Sequence, residues 1–184
     1  VGAHIVGRRD RGCQVTTLVW FKRDLRVSDN AALCAAADDL HLCLYIYEPT
    51  VLNAPDYDSA HLAYVNGCLR SLDRRLRALG SRLVTRSGAA VEVLDRLHHE
   101  IQFDRIVSHQ ETGNHITFER DKAVRRWAKN KGIRWDEFVQ DGVVRGLKNR
   151  DGWSRQWDAA MRSPLLPRSV RQNRTGQSSR ANRL

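Results

Sequence analysis

The chain has 184 residues, 41% hydrophobic and 28% charged, with a formal net charge of +10. That length suits one domain with some tail, able to bury roughly 70% of its unfolded surface without a metal or disulfide frame, and no apolar run approaches a bilayer span, so no membrane-spanning helix is expected. The basic excess sits mostly at the ends: the first fourteen residues carry +2 and the last twenty-two +5, leaving +3 for the body, so the body is only mildly basic and the tail reads as a polar end.

The opening 1–14 has no periodicity and no continuous apolar stretch of signal-peptide type, so it reads as a flexible leader of a cytoplasmic protein. The four cysteines, Cys13, Cys34, Cys43 and Cys68, are far apart and form no CxxC. They fit small buried hydrophobes in a reducing compartment.

Thr17–Phe21 is a short apolar run rich in branched and aromatic side chains, the signature of a buried strand. It turns abruptly polar at Lys22, Arg23, Asp24 and Arg26, and Ser28, Asp29 or Asn30 can cap a short alanine-rich helix over Ala31–Asp38. His41–Tyr47 alternates large apolar groups and reads as a second strand stopped at Glu48-Pro49. Val51–Tyr57 is expected to be a loop, with Asp58 or Ser59 capping a long helix. On that helix Leu62, Val65, Leu69, Leu72, Leu76 and Leu79 recur at steps of three and four as one core-facing stripe, with Arg70, Arg74, Arg75 and Arg77 off it. Gly80 ends it.

A third strand is expected around Leu83-Val84, broken by Gly88. A helix over Ala89–Glu100 follows, with Val91, Leu94, Leu97 and Ile101 inward. The adjacent His98 and His99 point in different directions on a helix and do not chelate one ion. Asp104–Ser108 is the fourth strand and opens into the polar HQETGN, His109–Asn114. A helix from His115 to Lys131 turns Val124, Trp127 and Ala128 inward and closes at Gly132; Arg134–Gln140 is the fifth strand. A glycine-punctuated loop leads to a short helix over Trp153–Arg162, and 163–184 reads as a linker or disordered basic tail. Strands alternating with helices imply an α/β fold: a doubly wound, Rossmann-like five-stranded parallel sheet with right-handed connections and helices on both faces.

No Walker loop, no GxGxxG after the first strand and no G-x-S-x-G elbow is present. His109 and His115 flank Glu111, but at no established metal-ligand spacing. What remains is a crevice at the polar strand ends, where open α/β sheets place their ligands. The first strand supplies Phe21, Lys22, Arg23 and Asp24; the fourth supplies His109, Gln110, Glu111 and Thr112; Tyr47 and Glu48, ending the second, rim it. Aromatic faces, cations and carboxylates suit a flat heteroaromatic ligand such as a pterin or deazaflavin. The same charges would equally serve to hold the loop, with Arg23 or Arg26 pairing to Asp24 or Asp29.

WFKRDLRVSDNAAL, Trp20–Leu33, closely resembles the opening of the DNA photolyase and cryptochrome family, in which the first strand ends in W-F-R-x-D-L-R before a helix-starting D-N. Further matches follow in order: Tyr45–Pro49, the run Gly67–Leu94, and SHQETGN with the later ERD, Glu119–Asp121. The resemblance covers roughly Thr17 to Pro164. The ending QDGVVRGLKNRDGWSRQW departs from the family's commoner Y-x-V-F-T-P-F and fits a bacterial branch.

The resemblance implies that residues 15–162 form the family's N-terminal α/β domain, which binds a light-harvesting antenna, methenyltetrahydrofolate or 8-hydroxy-deazaflavin. Its contacts would come from Phe21, Lys22, Arg23, Asp24, Tyr47, Glu48, Gln110, Glu111 and Thr112. In the family a linker then leads to a helical domain that holds FAD, docks DNA and carries electron-transferring tryptophans. The chain is expected to stop where that linker begins, so its partner would be the missing FAD domain, in cis or in trans, with DNA met only indirectly. It would not catalyse deoxyribodipyrimidine photo-lyase chemistry alone, because dimer splitting needs a reduced flavin beside a flipped-out lesion. Two other readings stand beside this one: a free-standing small-ligand or nucleotide-binding module, and an orphan domain without retained activity.

Overall fold

A computed structural model describes residues 16–140, 143, 145 and 149–166. The leader 1–14, most of the glycine loop and 167–184 lie outside the described residues. Five strands, β1 (Thr17–Phe21), β2 (His41–Tyr47), β3 (Leu83–Ser87), β4 (Arg105–His109) and β5 (Arg134–Phe138), form one sheet in the order β3-β2-β1-β4-β5, and every pairing is parallel. The connection from β3 to β4 carries the chain to the other side of β1. The order of the strands therefore reverses between β1 and β4, the place where open sheets leave a crevice. The fold is the doubly wound α/β architecture expected.

Among the described residues six helices accompany the sheet: α1 (Ala31–Ala35), α2 (Pro49–Leu52), α3 (Ser59–Ala78), α4 (Ala90–Ile101), α5 (His115–Lys131) and α6 (Trp153–Met161). Side chains alternate across each strand. Leu18, Trp20, Leu44, Ile46 and Ile106 meet α4 and α5 through Val93, Leu94, Leu97, Val124 and Ala128. Val19, Phe21, Cys43 and Val107 meet α1 and α3 through Leu33, Leu72 and Leu76. β1 is buried along its whole length because both faces are covered.

The structure departs from the sequence pattern where local chemistry or tertiary context outweighs it. Pro49–Leu52, expected to be partly loop, is one helical turn: proline is tolerated at the first helical position, where its missing N–H is unpaired in any residue. In α4 the buried face is Ala90, Val93, Leu94 and Leu97, so Val93 joins the inward set, while Val91 and Ile101 are half-buried and pack against the same cluster. On α3, Leu69, Leu72 and Leu76 are buried but Leu62 and Val65 are half-buried. His109 ends β4 as a buried strand residue and is not part of its exit loop. Among the described residues no helix is long and apolar enough to cross a membrane.

Candidate functional site

The exit of β1 is held from beneath by a buried polar cluster. Asp24 is 2% exposed; its carboxylate accepts from the Lys22 backbone N–H at 3.1 Å and from Asn30 Nδ2 at 3.2 Å, and it lies 2.6 Å from His109 Nδ1. Burial favours the neutral acid, but the hydrogen bond and charge of His109 with the backbone donors outweigh it, and the Asp24 carboxyl titrates below its ordinary 3.8. Asn30 also accepts from the Leu33 N–H at 2.8 Å, capping α1. One aspartate thus joins β1, β4 and the start of α1.

A second cluster lies over the ends of β1, β4 and β5. Lys22 Nζ is 3.3 Å from Asp121 and 3.6 Å from Glu137, and it rests 5.1 Å from the Trp20 ring centroid and 5.6 Å from that of Trp135. Arg145 reaches the same carboxylates, Asp121 at 3.4 Å and Glu137 at 3.3 Å, and donates to the main-chain oxygen of Glu111. Arg125 also pairs with Glu137.

The central cation is Arg120. It donates to Glu48 at 2.6 Å and to Glu111 at 2.5 Å, lies 2.9 Å from Asp121 and covers the Trp20 ring at 5.1 Å. Burial works against its charge, but the three carboxylates prevail and raise its pKa above that of an ordinary arginine. Glu48 is shifted upward too, which for an acid favours the neutral form: burial lifts its carboxyl above 4.5, and Arg120 only partly offsets this. Arg23, whose side chain is 62% exposed, pairs with Glu111 at 3.2 Å. Gly113 leaves room for this geometry, since a Cβ there would come within 2.5 Å of Thr117 Oγ1 and 3.1 Å of Glu111 Oε1.

Above these groups opens a cavity of about 580 Å³. Its floor is Trp20, Phe21, Tyr45 and Ile46 from β1 and β2. One wall is Glu48, Glu111 and Arg120; the opposite wall is Tyr57 with His61, Tyr64, Val65 and Cys68 of α3. Burial raises the Tyr45 phenol, reinforced by the neighbouring tyrosines and carboxylates, so it stays a hydrogen-bond donor at neutral pH. Asn114 ties the walls together: it caps α5 by accepting from the Thr117 N–H, and its amide donates to Asp56 at 2.9 Å. The space combines aromatic surfaces, carboxylates able to accept N–H groups, and a solvated arginine at its edge, a lining that suits a flat heteroaromatic ligand with polar substituents.

Of the nine residues singled out from sequence, Phe21, Lys22, Arg23, Glu48 and Glu111 line this cavity. Asp24 does not; it faces His109 under the loop. Tyr47 does not line it either: its hydroxyl donates to Asn66 at 2.7 Å, while Tyr45, packed edge-on at 5.0 Å, lines the cavity. Gln110 spends its backbone N–H on the Phe138 carbonyl at 2.8 Å, and neither it nor Thr112 is among the lining residues. The cavity lies over β1 and β2 with the β4 exit as one wall, so β2 supplies floor and not merely rim. Of the loop-holding pairings expected between Arg23 or Arg26 and Asp24 or Asp29, Arg26 does hold Asp29, its Nε donating to the main-chain carbonyl at 3.1 Å, whereas Arg23 takes Glu111. Sequence reading missed Arg120, Tyr45 and the α3 wall. The signal for Arg120 was its place one turn inside α5, next to Asp121 and following a loop that carries Glu111.

A family model described as DNA photolyase matches residues 17–147. The deoxyribodipyrimidine photo-lyase of Synechococcus sp. is 33% identical over 140 residues, covering 72% of this chain and 29% of its own length. Cryptochrome-1 of Mus musculus is 31% identical over 121 residues, covering 65% of this chain and 20% of its own. The bacterial class III photolyase of Agrobacterium tumefaciens superposes with a TM-score of 0.70 at 26% identity, over 92% of this chain and 37% of that one. The archaeal photolyase of Sulfolobus tokodaii shares the fold at a TM-score of 0.67 and 22% identity, over 85% and 37%. The chain therefore spans between 20% and 37% of the length of these relatives. Strand order, the polar exits of β1 and β4 and the match across the described sheet agree: the chain belongs to the DNA photolyase family and corresponds to its N-terminal α/β region.

Proposed function

We propose that residues 15–162 are a light-harvesting domain that binds an antenna chromophore, methenyltetrahydrofolate or 8-hydroxy-deazaflavin, in the cavity over β1 and β2, as part of light-dependent DNA repair or blue-light sensing. The observation that carries this reading is the cavity itself: about 580 Å³ with an aromatic floor and the Glu48–Arg120–Glu111 cluster on one side. A pigment bound there supplies the absorption of light. The protein's part is to stack the ring against Tyr45, to offer Glu48 and Glu111 as acceptors, and to keep water from the Trp20 side. The full photo-lyase reaction of the Synechococcus relative would further require FAD and a lesion site, as in the whole-length family. The thiols Cys43 and Cys68 accord with a cytoplasmic setting.

The test is retention after desalting. Purified protein is mixed separately with methenyltetrahydrofolate, 8-hydroxy-deazaflavin, FAD and ATP, and absorbance and fluorescence are read on the protein fraction. FAD is included because the Sulfolobus tokodaii photolyase was solved with two FAD molecules and an implied novel light-harvesting cofactor. Stoichiometric retention of the folate or deazaflavin, lost in Tyr45→Ala, supports the reading. Retention of ATP alone would favour the nucleotide-binding module, and retention of nothing would favour an orphan domain.

A further inference from the structure

The body's modest charge hides a sharp asymmetry. Between Arg70 and Val91 the chain has six arginines and one acid, Asp73, a net +5, so the rest of the body is net −2. The structure gathers this excess at one edge of the sheet. Arg70, Arg74 and Arg77 are exposed on α3 at spacings of four and three, which align them along one side of the helix over ~10 Å. Asp73, the one acid, is already engaged: it accepts from the Leu83 N–H at 3.0 Å and from Arg77 Nε at 2.7 Å. Arg82 is exposed in the turn that joins α3 to β3. β3 is an outer strand, and its exposed Thr85 and Ser87 lie on the sheet face that α3 covers. On the other face Arg86 faces Glu100 at 3.9 Å, so the unmatched charge is on the α3 side.

We infer that this edge, with Arg70, Arg74, Arg77 and Arg82 as its cations, docks the sugar-phosphate backbone of a nucleic acid. A straight row of arginines suits a linear polyanion: ~10 Å spans about three phosphates of one strand at 3.4 Å each along the duplex axis, and the guanidinium fork fits phosphate oxygens two at a time. The hydroxyls of Thr85 and Ser87 add neutral donors of the kind that accompany backbone contacts. A bilayer is the less suitable anion, because none of the described exposed large apolar side chains lies between Arg70 and Ser87 to enter it. No base-reading element accompanies the row, so the contact is independent of sequence.

The experiment measures fluorescence anisotropy of a labelled 16-base-pair random-sequence duplex with the full chain, between 50 and 200 mM salt. Arg70→Glu/Arg74→Glu leaves the Arg77–Asp73 pair intact; Arg70→Gln/Arg74→Gln is the milder companion, and circular dichroism checks both folds. A third protein, Arg168→Gln/Arg171→Gln/Arg174→Gln, removes charge from the basic end. The expected result is a more than tenfold weakening in the Glu pair, a smaller loss in the Gln pair, and a salt slope reduced by about 2, at roughly 0.9 per lost phosphate contact. The tail variant should keep most of the affinity. Unchanged binding in the Glu pair would overturn the inference, as would an equal loss in the tail variant, or binding to phosphatidylserine vesicles without binding to the duplex.

Discussion

At the scale of single residues, two buried charges carry the site, and they differ in what they hold. Arg120 is the only guanidinium described in contact with both Glu48 and Glu111, and its removal leaves these carboxylates in a desolvated wall. Arg120→Met is expected to lose about 3–5 kcal/mol at pH 7 by chemical denaturation. The pH dependence follows from Glu48, whose folded pKa already lies above its ordinary 4.5. An acid with a raised folded pKa disfavours the fold as pH climbs past the unfolded value, and without Arg120 this effect grows. The variant's deficit should therefore be largest near neutrality and shrink below about pH 4.5; a deficit flat with pH would contradict it. Asp24 behaves oppositely. Its folded pKa is depressed below 3.8, so the stability it contributes is present above pH 3.8 and is lost as pH falls through the folded value. Asp24→Asn should cost about 2–3 kcal/mol at pH 7 and flatten the acid limb of a stability-against-pH curve.

At the scale of elements, α3 does two jobs along its length. Its second half seals the sheet through Leu69, Leu72 and Leu76, while its first half leaves the core and walls the cavity with His61, Tyr64 and Val65. Leu76→Ala should therefore cost about 3 kcal/mol, and Leu62→Ala, at a half-buried position, about 1 kcal/mol, both read as shifts in the denaturant midpoint at constant slope. Equal losses would mean that the helix packs along its whole length. α5 is likewise set by its ends: Asn114 caps it and Gly132, at φ 70°, closes it, and the cap fixes where Arg120 enters the cavity wall.

At the scale of the whole molecule, the sheet and the cavity are one system, because the wall residues come from β1, β2, the β4 exit, α3 and α5. A ligand that binds this assembled space and not the unfolded chain adds stability by mass action. At a hundredfold excess over its Kd, a bound folate or deazaflavin should contribute about 2.7 kcal/mol, a rise in Tm of roughly 5–10 °C for a domain of this size. Differential scanning calorimetry with and without chromophore reads this directly, and no shift at saturating ligand would contradict a cavity built from so many elements. The basic edge at α3 and β3 is separate from that cavity, so duplex binding and chromophore binding should be independent.

Legibility followed the range of the forces involved. Strand and helix positions could be read in the chain because they are local: β2 begins and ends at the expected residues, as does α5, since alternation, caps and glycine stops act within a few neighbours. The parallel order followed from the alternation of strands and helices, and the β1 motif was specific enough to carry the family. What stayed hidden was non-local. That Tyr45 and not Tyr47 lines the cavity depends on Asn66 taking the Tyr47 hydroxyl, nineteen residues away. That Asp24 turns under the loop depends on His109, and that Arg120 commands the wall depends on Glu48, seventy-two residues distant. Hydrophobic periodicity records which side of an element is dry; a buried charge chooses its partner only after the folded chain has excluded water and left that partner within reach.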